Sequence, residues 1–148
     1  MSSYAGADSW VPRAEAVLTR AGYRRGGARR AVIELLDAQE CALTAVEIEE
    51  ALRSEQRRVS RASVYRILDE LEQVRLVQRV ETGQTMVRYE RVCEDEHHHH
   101  LVCDSCGLVM PFSDTALERA IETLSERVPL AVSEHEIVLH GACEDCAA

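Results

Sequence analysis

Residues 60–80 read SRASVYRILDELEQVRLVQRV, and this stretch decides the fold. Val64, Ile67, Leu68 and Leu71 recur at i, i+3, i+4 and i+7, the stripe of a helix that buries one side. Ser60, just before it, is a residue type that caps a first helical turn. The opposite face carries Arg61, Ser63, Tyr65, Arg66 and Asp69. The helix then gives way to a strand-like run, LVQRV at 76–80, and a second one, MVRYE at 86–90, follows across ETGQT, where Gly83 supplies the turn.

Working upstream, the periodicity predicts three more helices. RAEAVLTRA at 13–21 is ended by Gly22. ARRAVIELLDA at 28–38 turns Val32, Ile33, Leu35 and Leu36 inward, and TAVEIEEALRSE at 44–55 is capped by Thr44 and buries Val46, Ile48, Ala51 and Leu52. Helices followed by a hairpin is the plan of a winged helix-turn-helix, so a DNA-facing role is expected for Arg61, Ser63, Tyr65 and Arg66. Arg24, Arg25, Arg29 and Arg30 are candidates for backbone contacts.

The charge distribution agrees with this placement. The chain of 148 residues has a formal charge of -9. Residues 1–92, however, hold 15 Arg against 14 Asp and Glu, whereas residues 93–148 hold 2 Arg against 12 acids. No lysine occurs, so every cationic side chain is a guanidinium, the better geometric match for phosphate. The asymmetry predicts a nucleic-acid-facing half and an acidic, cation-attracting half. No stretch approaches the ~18 apolar residues of a membrane span, and MSSYAGADSW lacks the pattern of an export signal, so a cytoplasmic protein is expected.

The second half, past a polar linker around Glu94 to Glu96, reads as α/β: strands HHLVC and GLVMPF, a helix from Asp114 to about Arg127, and a strand HEIVLH at 135–140. Its strongest motif is Cys103-x-x-Cys106 followed, after 36 residues, by Cys143-x-x-Cys146. Each pair has the spacing with which one tight turn offers two thiolates to a tetrahedral zinc, and two pairs make a closed structural site. Two disulfides or a redox pair are the alternatives, and the absence of an export signal weighs against the first. In a domain this small, zinc binding energy becomes folding energy. Directly before LVC stand His97, His98, His99 and His100. In extended chain, His97 and His99 face one way and His98 and His100 the other, so one run can serve two metals. Imidazole does not by itself choose between zinc, iron, nickel and copper. Cys41, between apolar neighbours, reads as a small core residue.

Taken in order, these blocks resemble the ferric-uptake-regulator family of metal-dependent repressors, from about Leu18 to Cys146. LTRAGYRRGGARRAVIELL is similar to the family's opening segment, with Gly26 where a Thr is usual. SRASVYRILDELEQVRLV resembles its recognition-helix block, and HHHHLVCDSCG its most specific signature. The resemblance implies an α+β chain with a winged helix-turn-helix at 1–91 and a small metal-binding, dimerising domain at 92–148. The implied function is transcriptional repression as a homodimer on palindromic double-stranded DNA operators, with no enzymatic activity, membrane partner or organic substrate.

By position, it implies structural zinc at Cys103, Cys106, Cys143 and Cys146, and an additional site at His97, His99, Glu118 and His135. The base-contacting role falls to Tyr65 and its neighbours. The His that iron-type members supply before the third helix is missing, since Cys41, Ala42 and Leu43 stand there. Zinc-type members use a Cys five residues before the first of two alternate histidines, a spacing matched by Cys93, His98 and His100. This implies a zinc-sensing regulator, with iron, manganese or peroxide sensing as alternatives within the family. The carboxylate expected just after the wing's first Leu-Val is Gln78, with Glu81 and Glu90 as substitutes. A zinc hydrolase would need a vacant coordination position and a base, and neither an HExxH motif nor a phosphate loop is present. A zinc-stabilised protein-binding module is the remaining alternative.

Overall fold

In a computed structural model that describes residues 10–39, 42–83, 85–92 and 97–147, the chain divides into two compact units, Met1–Asp95 and Glu96–Ala148. The first unit begins with α1 (Trp10–Arg20), α2 (Gly27–Ala38), β1 (Leu43–Thr44), α3 (Ala45–Ser54) and α4 (Arg61–Gln73). The wing follows as β2 (Val77–Val80) and β3 (Arg88–Arg91), in a three-stranded antiparallel sheet of order β1-β3-β2.

Local chemistry sets these boundaries. Thr44 accepts from the backbone N–H of Glu47 at 3.1 Å while Glu47 accepts from the N–H of Thr44 at 2.9 Å, a complete capping box for α3. Ser60 caps α4 by accepting from the N–H of Ser63 at 3.2 Å. α1 ends in a paired turn, Gly22 N–H to Thr19 and Tyr23 N–H to Leu18, with Gly22 at φ 90°. α4 ends the same way through Arg75, at φ 59°, and this returns Leu76 to the core.

The expected stripes converge: Ile33, Leu36, Ile48, Leu52, Ile67, Leu68 and Leu71 are all fully buried in one cluster. The structure adds a turn to the start of α1, where buried Trp10 anchors the helix and Pro12 sits in the first turn, which tolerates it. It also adds β1, whose two residues, pairing with Tyr89 and Arg88, are too short to show a periodicity. Cys41 lies outside the described residues.

The second unit contains β4 (His99–Cys103), β5 (Val109–Phe112), α5 (Thr115–Ser125), β6 (Val138–Gly141) and α6 (Glu144–Ala147). β4 is central, antiparallel to β5 and parallel to β6. β6 starts three residues after the expected His135, because the ladder with β4 begins at the His100–Val138 pair. α6 holds Cys146 and was not expected. This unit has little core of its own: α5 has no fully buried residue, and Leu124, Leu130 and Leu139 are exposed by more than half. No helix among the described residues is long and apolar enough to cross a membrane.

Candidate metal centres and nucleic-acid interface

β4 organises both ligand sets of the second unit. Cys103 ends the strand, a turn with Gly107 at φ 78° presents Cys106, and Cys143 and Cys146 approach from the segment after β6. The four sulfurs lie within 4.8 Å of one another, with Cys106 and Cys143 Sγ 3.8 Å apart. A tetrahedron with ~2.3 Å metal–sulfur bonds has an edge of about that length, whereas a disulfide would require ~2.05 Å. All four remain free thiols. The backbone N–H of Cys143 donates to Cys103 Sγ at 3.3 Å, and this bond, with that from Cys106, pulls the Cys103 thiol down to about 6. Hydrogen bonding with the sulfurs of Cys143, Cys103 and Cys106 pushes Cys146 up to about 12. One thiol disposed to ionise, with three more sulfurs crowded around it, is the donor set of a soft or borderline cation, and zinc fits it.

The second set gathers on the side of β4 that meets α5. His97, His99, Glu118 and His135 place one ligand atom each within 4.8 Å of the others. Glu118, in the first turn of α5, receives His99 Nε2 at 2.6 Å on one oxygen and His135 Nε2 at 2.8 Å on the other. His97 Nε2 lies 3.0 Å from His135 Nε2. Asp114 caps α5 through the N–H of Leu117 at 2.8 Å, which fixes where Glu118 stands. The Ile137 N–H donates to His99 Nδ1 at 3.2 Å and orients that ring. Glu118 is held below the usual carboxylate range, chiefly by the bond from His99 and then by His135, while burial lowers His97. Three imidazoles and a carboxylate this close could hold a divalent transition metal.

The alternation expected of the histidine run is present. His98 and His100 pair with each other, ring centroids 5.1 Å apart, while His97 pairs with His99 at 4.7 Å. His100 is buried and His98 half-buried. Cys93 lies outside the described residues. In the first unit, Gln78 Nε2 donates to Glu90 at 2.6 Å across the β2–β3 ladder. Of the three wing candidates Glu90 is the buried carboxylate, whereas Gln78 and Glu81 are exposed. His140 enters neither set; its Nδ1 is 2.8 Å from Asp104.

On α4, Arg61, Tyr65 and Arg66 are exposed as expected, but the Ser63 hydroxyl accepts from Ser60 at 2.9 Å and belongs to the cap. Arg29 and Arg30 are tied to Glu70 and Glu34, leaving Arg24 and Arg25 as the guanidiniums of that group without an ion pair among the described residues. Arg29 and Glu70 stand too far apart in sequence for their tie to be legible there, whereas Arg30 and Glu34 are spaced i, i+4 on one helix.

The profile of the ferric uptake regulator family matches residues 20–140. The chain belongs to that family. It is a metalloregulator of transcription, not an enzyme. The ferric uptake regulation protein of Helicobacter pylori is 27% identical over 139 residues, covering 94% of this chain and 92% of the relative. The solved structure of the Helicobacter pylori ferric uptake regulator, described as revealing three functional metal binding sites, superposes with a TM-score of 0.84 at 26% identity over 100% of this chain and 98% of that one. A zinc uptake regulator complexed with zinc and DNA matches at a TM-score of 0.58 and 26% identity, over 93% and 92% of the two chains. The winged-helix architecture expected from residues 60–80 is thus that of the Fur family.

Proposed function

We propose that this Fur-family protein is a zinc-sensing repressor of the cytoplasm that binds palindromic operators of metal-uptake genes as a homodimer when metal is bound. The observation that carries the reading is the division of one histidine run. His97 and His99 gather with Glu118 and His135, while His98 and His100 turn the other way as a second pair of imidazoles. Cys93, with Glu90 as the carboxylate, is proposed to complete this regulatory site; the four cysteines hold structural zinc, and His97, His99, Glu118 and His135 hold an additional metal.

A thiolate with two imidazoles favours zinc over iron or manganese. The zinc uptake regulator solved with zinc and DNA supports the DNA role, and α4 offers Arg61, Tyr65 and Arg66 for it. Exposed Leu124, Leu130 and Leu139 on the weakly cored second unit support burial against a second copy. Metal at the regulatory site selects the DNA-binding arrangement, so metal and operator strengthen each other by one coupling factor, typically ~1–3 kcal/mol. An iron-responsive regulator is the second reading, favoured by the relatives named for ferric uptake.

The test is Cys93→Ser. The variant is expected to keep its thermal melt and four-cysteine zinc while losing metal-dependent retention of operator duplex; undiminished metal dependence would remove Cys93 from the site.

A further inference from the structure

The helix that faces DNA carries two arginines, and their carboxylate partners hold them differently. Arg61, the first residue of α4, donates through Nε to Glu49 Oε2 at 2.7 Å, and its terminal Nη1 and Nη2 have no partner among the described residues. Arg66 donates through Nη1 to Glu70 Oε1 at 2.9 Å, so one prong of its fork is already taken. Glu49 is a fixed post: it is 9% exposed on α3, and its other oxygen accepts from Arg53, one helical turn away, at 2.8 Å. A carboxylate on the Nε edge orients the guanidinium plane without consuming the end-on pair of donors. That pair is the edge that grips O6 and N7 of guanine in the major groove.

From this geometry we infer that Glu49 is a positioning residue for DNA specificity, holding Arg61 so that its terminal fork reads one guanine in each operator half-site. The inference rests on the reading of α4 as the recognition helix. Pinning Arg61 removes rotamer freedom before DNA arrives, so less is lost when the contact forms. Glu49 also keeps the fork aimed, because swinging Arg61 away would strip a buried carboxylate of one of its two cations. Arg24 and Arg25 are left to supply sequence-independent attraction.

The experiment selects duplexes from a randomised library with the metal-loaded full chain. Wild type, Arg61→Gln, Glu49→Gln, Glu49→Asp and the double variant Arg61→Gln/Glu49→Gln are then titrated against the winning duplex and its single guanine-to-adenine replacements. Wild type is expected to prefer guanine at one position per half-site by roughly tenfold or more. Arg61→Gln should abolish that preference, Glu49→Gln should cut it by most of its size, and Glu49→Asp, which keeps the charge on a shorter arm, should fall between. The double variant should be no worse than Arg61→Gln alone.

If Arg61→Gln flattens the preference and Glu49→Gln leaves it whole, the inference fails while the DNA reading stands. A uniform loss of affinity for every duplex in Glu49→Gln, with a lowered thermal melt, assigns Glu49 a purely structural role and also overturns it. If wild type retains no duplex at any metal concentration, the DNA reading itself falls.

Discussion

Glu118 ties three histidines from outside α5 to its first turn. Replacing it by Gln removes one proposed ligand and the charge that both His99 and His135 meet, so the bound metal content is expected to fall by about one ion per chain with the four-cysteine zinc retained. Elemental analysis of the purified variant checks this, and unchanged content would exclude Glu118 as a ligand. The same cluster contributes to the acid sensitivity of protein that keeps its four-cysteine zinc but has no metal at this second set. Burial lowers His97 from its ordinary 6.5, so the unfolded chain takes up that proton first and stability declines as pH falls through about 6.5. Glu118 is depressed from 4.5, so the stability it contributes is present above 4.5 and is lost as pH falls through its lower folded value. Urea melts at stepped pH of protein that keeps its four-cysteine zinc but carries no metal at His97, His99, Glu118 and His135 should therefore weaken in two stages, one beginning near neutrality and one in the carboxylate range. A flat profile between pH 7 and 5 would contradict the placement of His97. Cys143→Ser, by contrast, removes a ligand from a site whose metal binding energy is on the order of 10 kcal/mol of folding energy. The Glu96–Ala148 unit should then lose its cooperative melt.

Among the elements, α4 ends on Arg75 in the left-handed region, where a Cβ costs about 1–2 kcal/mol. Arg75 makes no ion pair among the described residues, so Arg75→Gly should raise stability by about 1 kcal/mol, read from the denaturation midpoint. Thr44→Ala should lower it by about 1 kcal/mol through loss of the capping box. What the sequence disclosed depended on how local the cause was. α4 was legible because its stripe and its Ser60 cap lie within one stretch, and the cysteine cluster because each pair is a single turn. β1 was not, since two residues become a strand only by pairing with β3. Glu118 and His135 entered through the family resemblance rather than through spacing, because α5 and the β4–β6 pairing bring them to His99. The pairs Arg61–Glu49 and Arg29–Glu70 had no sequence signal, as their partners belong to different helices.

Across the whole molecule the two units solve stability differently. The Met1–Asp95 unit has a continuous apolar cluster from Trp10 to Tyr89. The acidic second unit has buried Val102, Val109 and two buried histidines instead, with apolar side chains left on its surface. Metal ligation and a second copy are the two means by which so small a core becomes stable. Leu124→Arg, on the exposed face of α5, is expected to weaken dimerisation by tenfold or more and to lower operator affinity with it. Sedimentation at stepped concentration checks the first effect, and an unchanged dimer would place the interface elsewhere. In the proposed function zinc is the corepressor. The most direct measurement of this is the affinity of the full chain for uptake-gene promoter duplexes across buffered free zinc, with ferrous and manganous ions as parallel titrants. Duplex binding that rises steeply with free zinc, and only at far higher concentrations with the other two ions, is the expected result; binding that ignores zinc or follows ferrous ion instead would contradict the account.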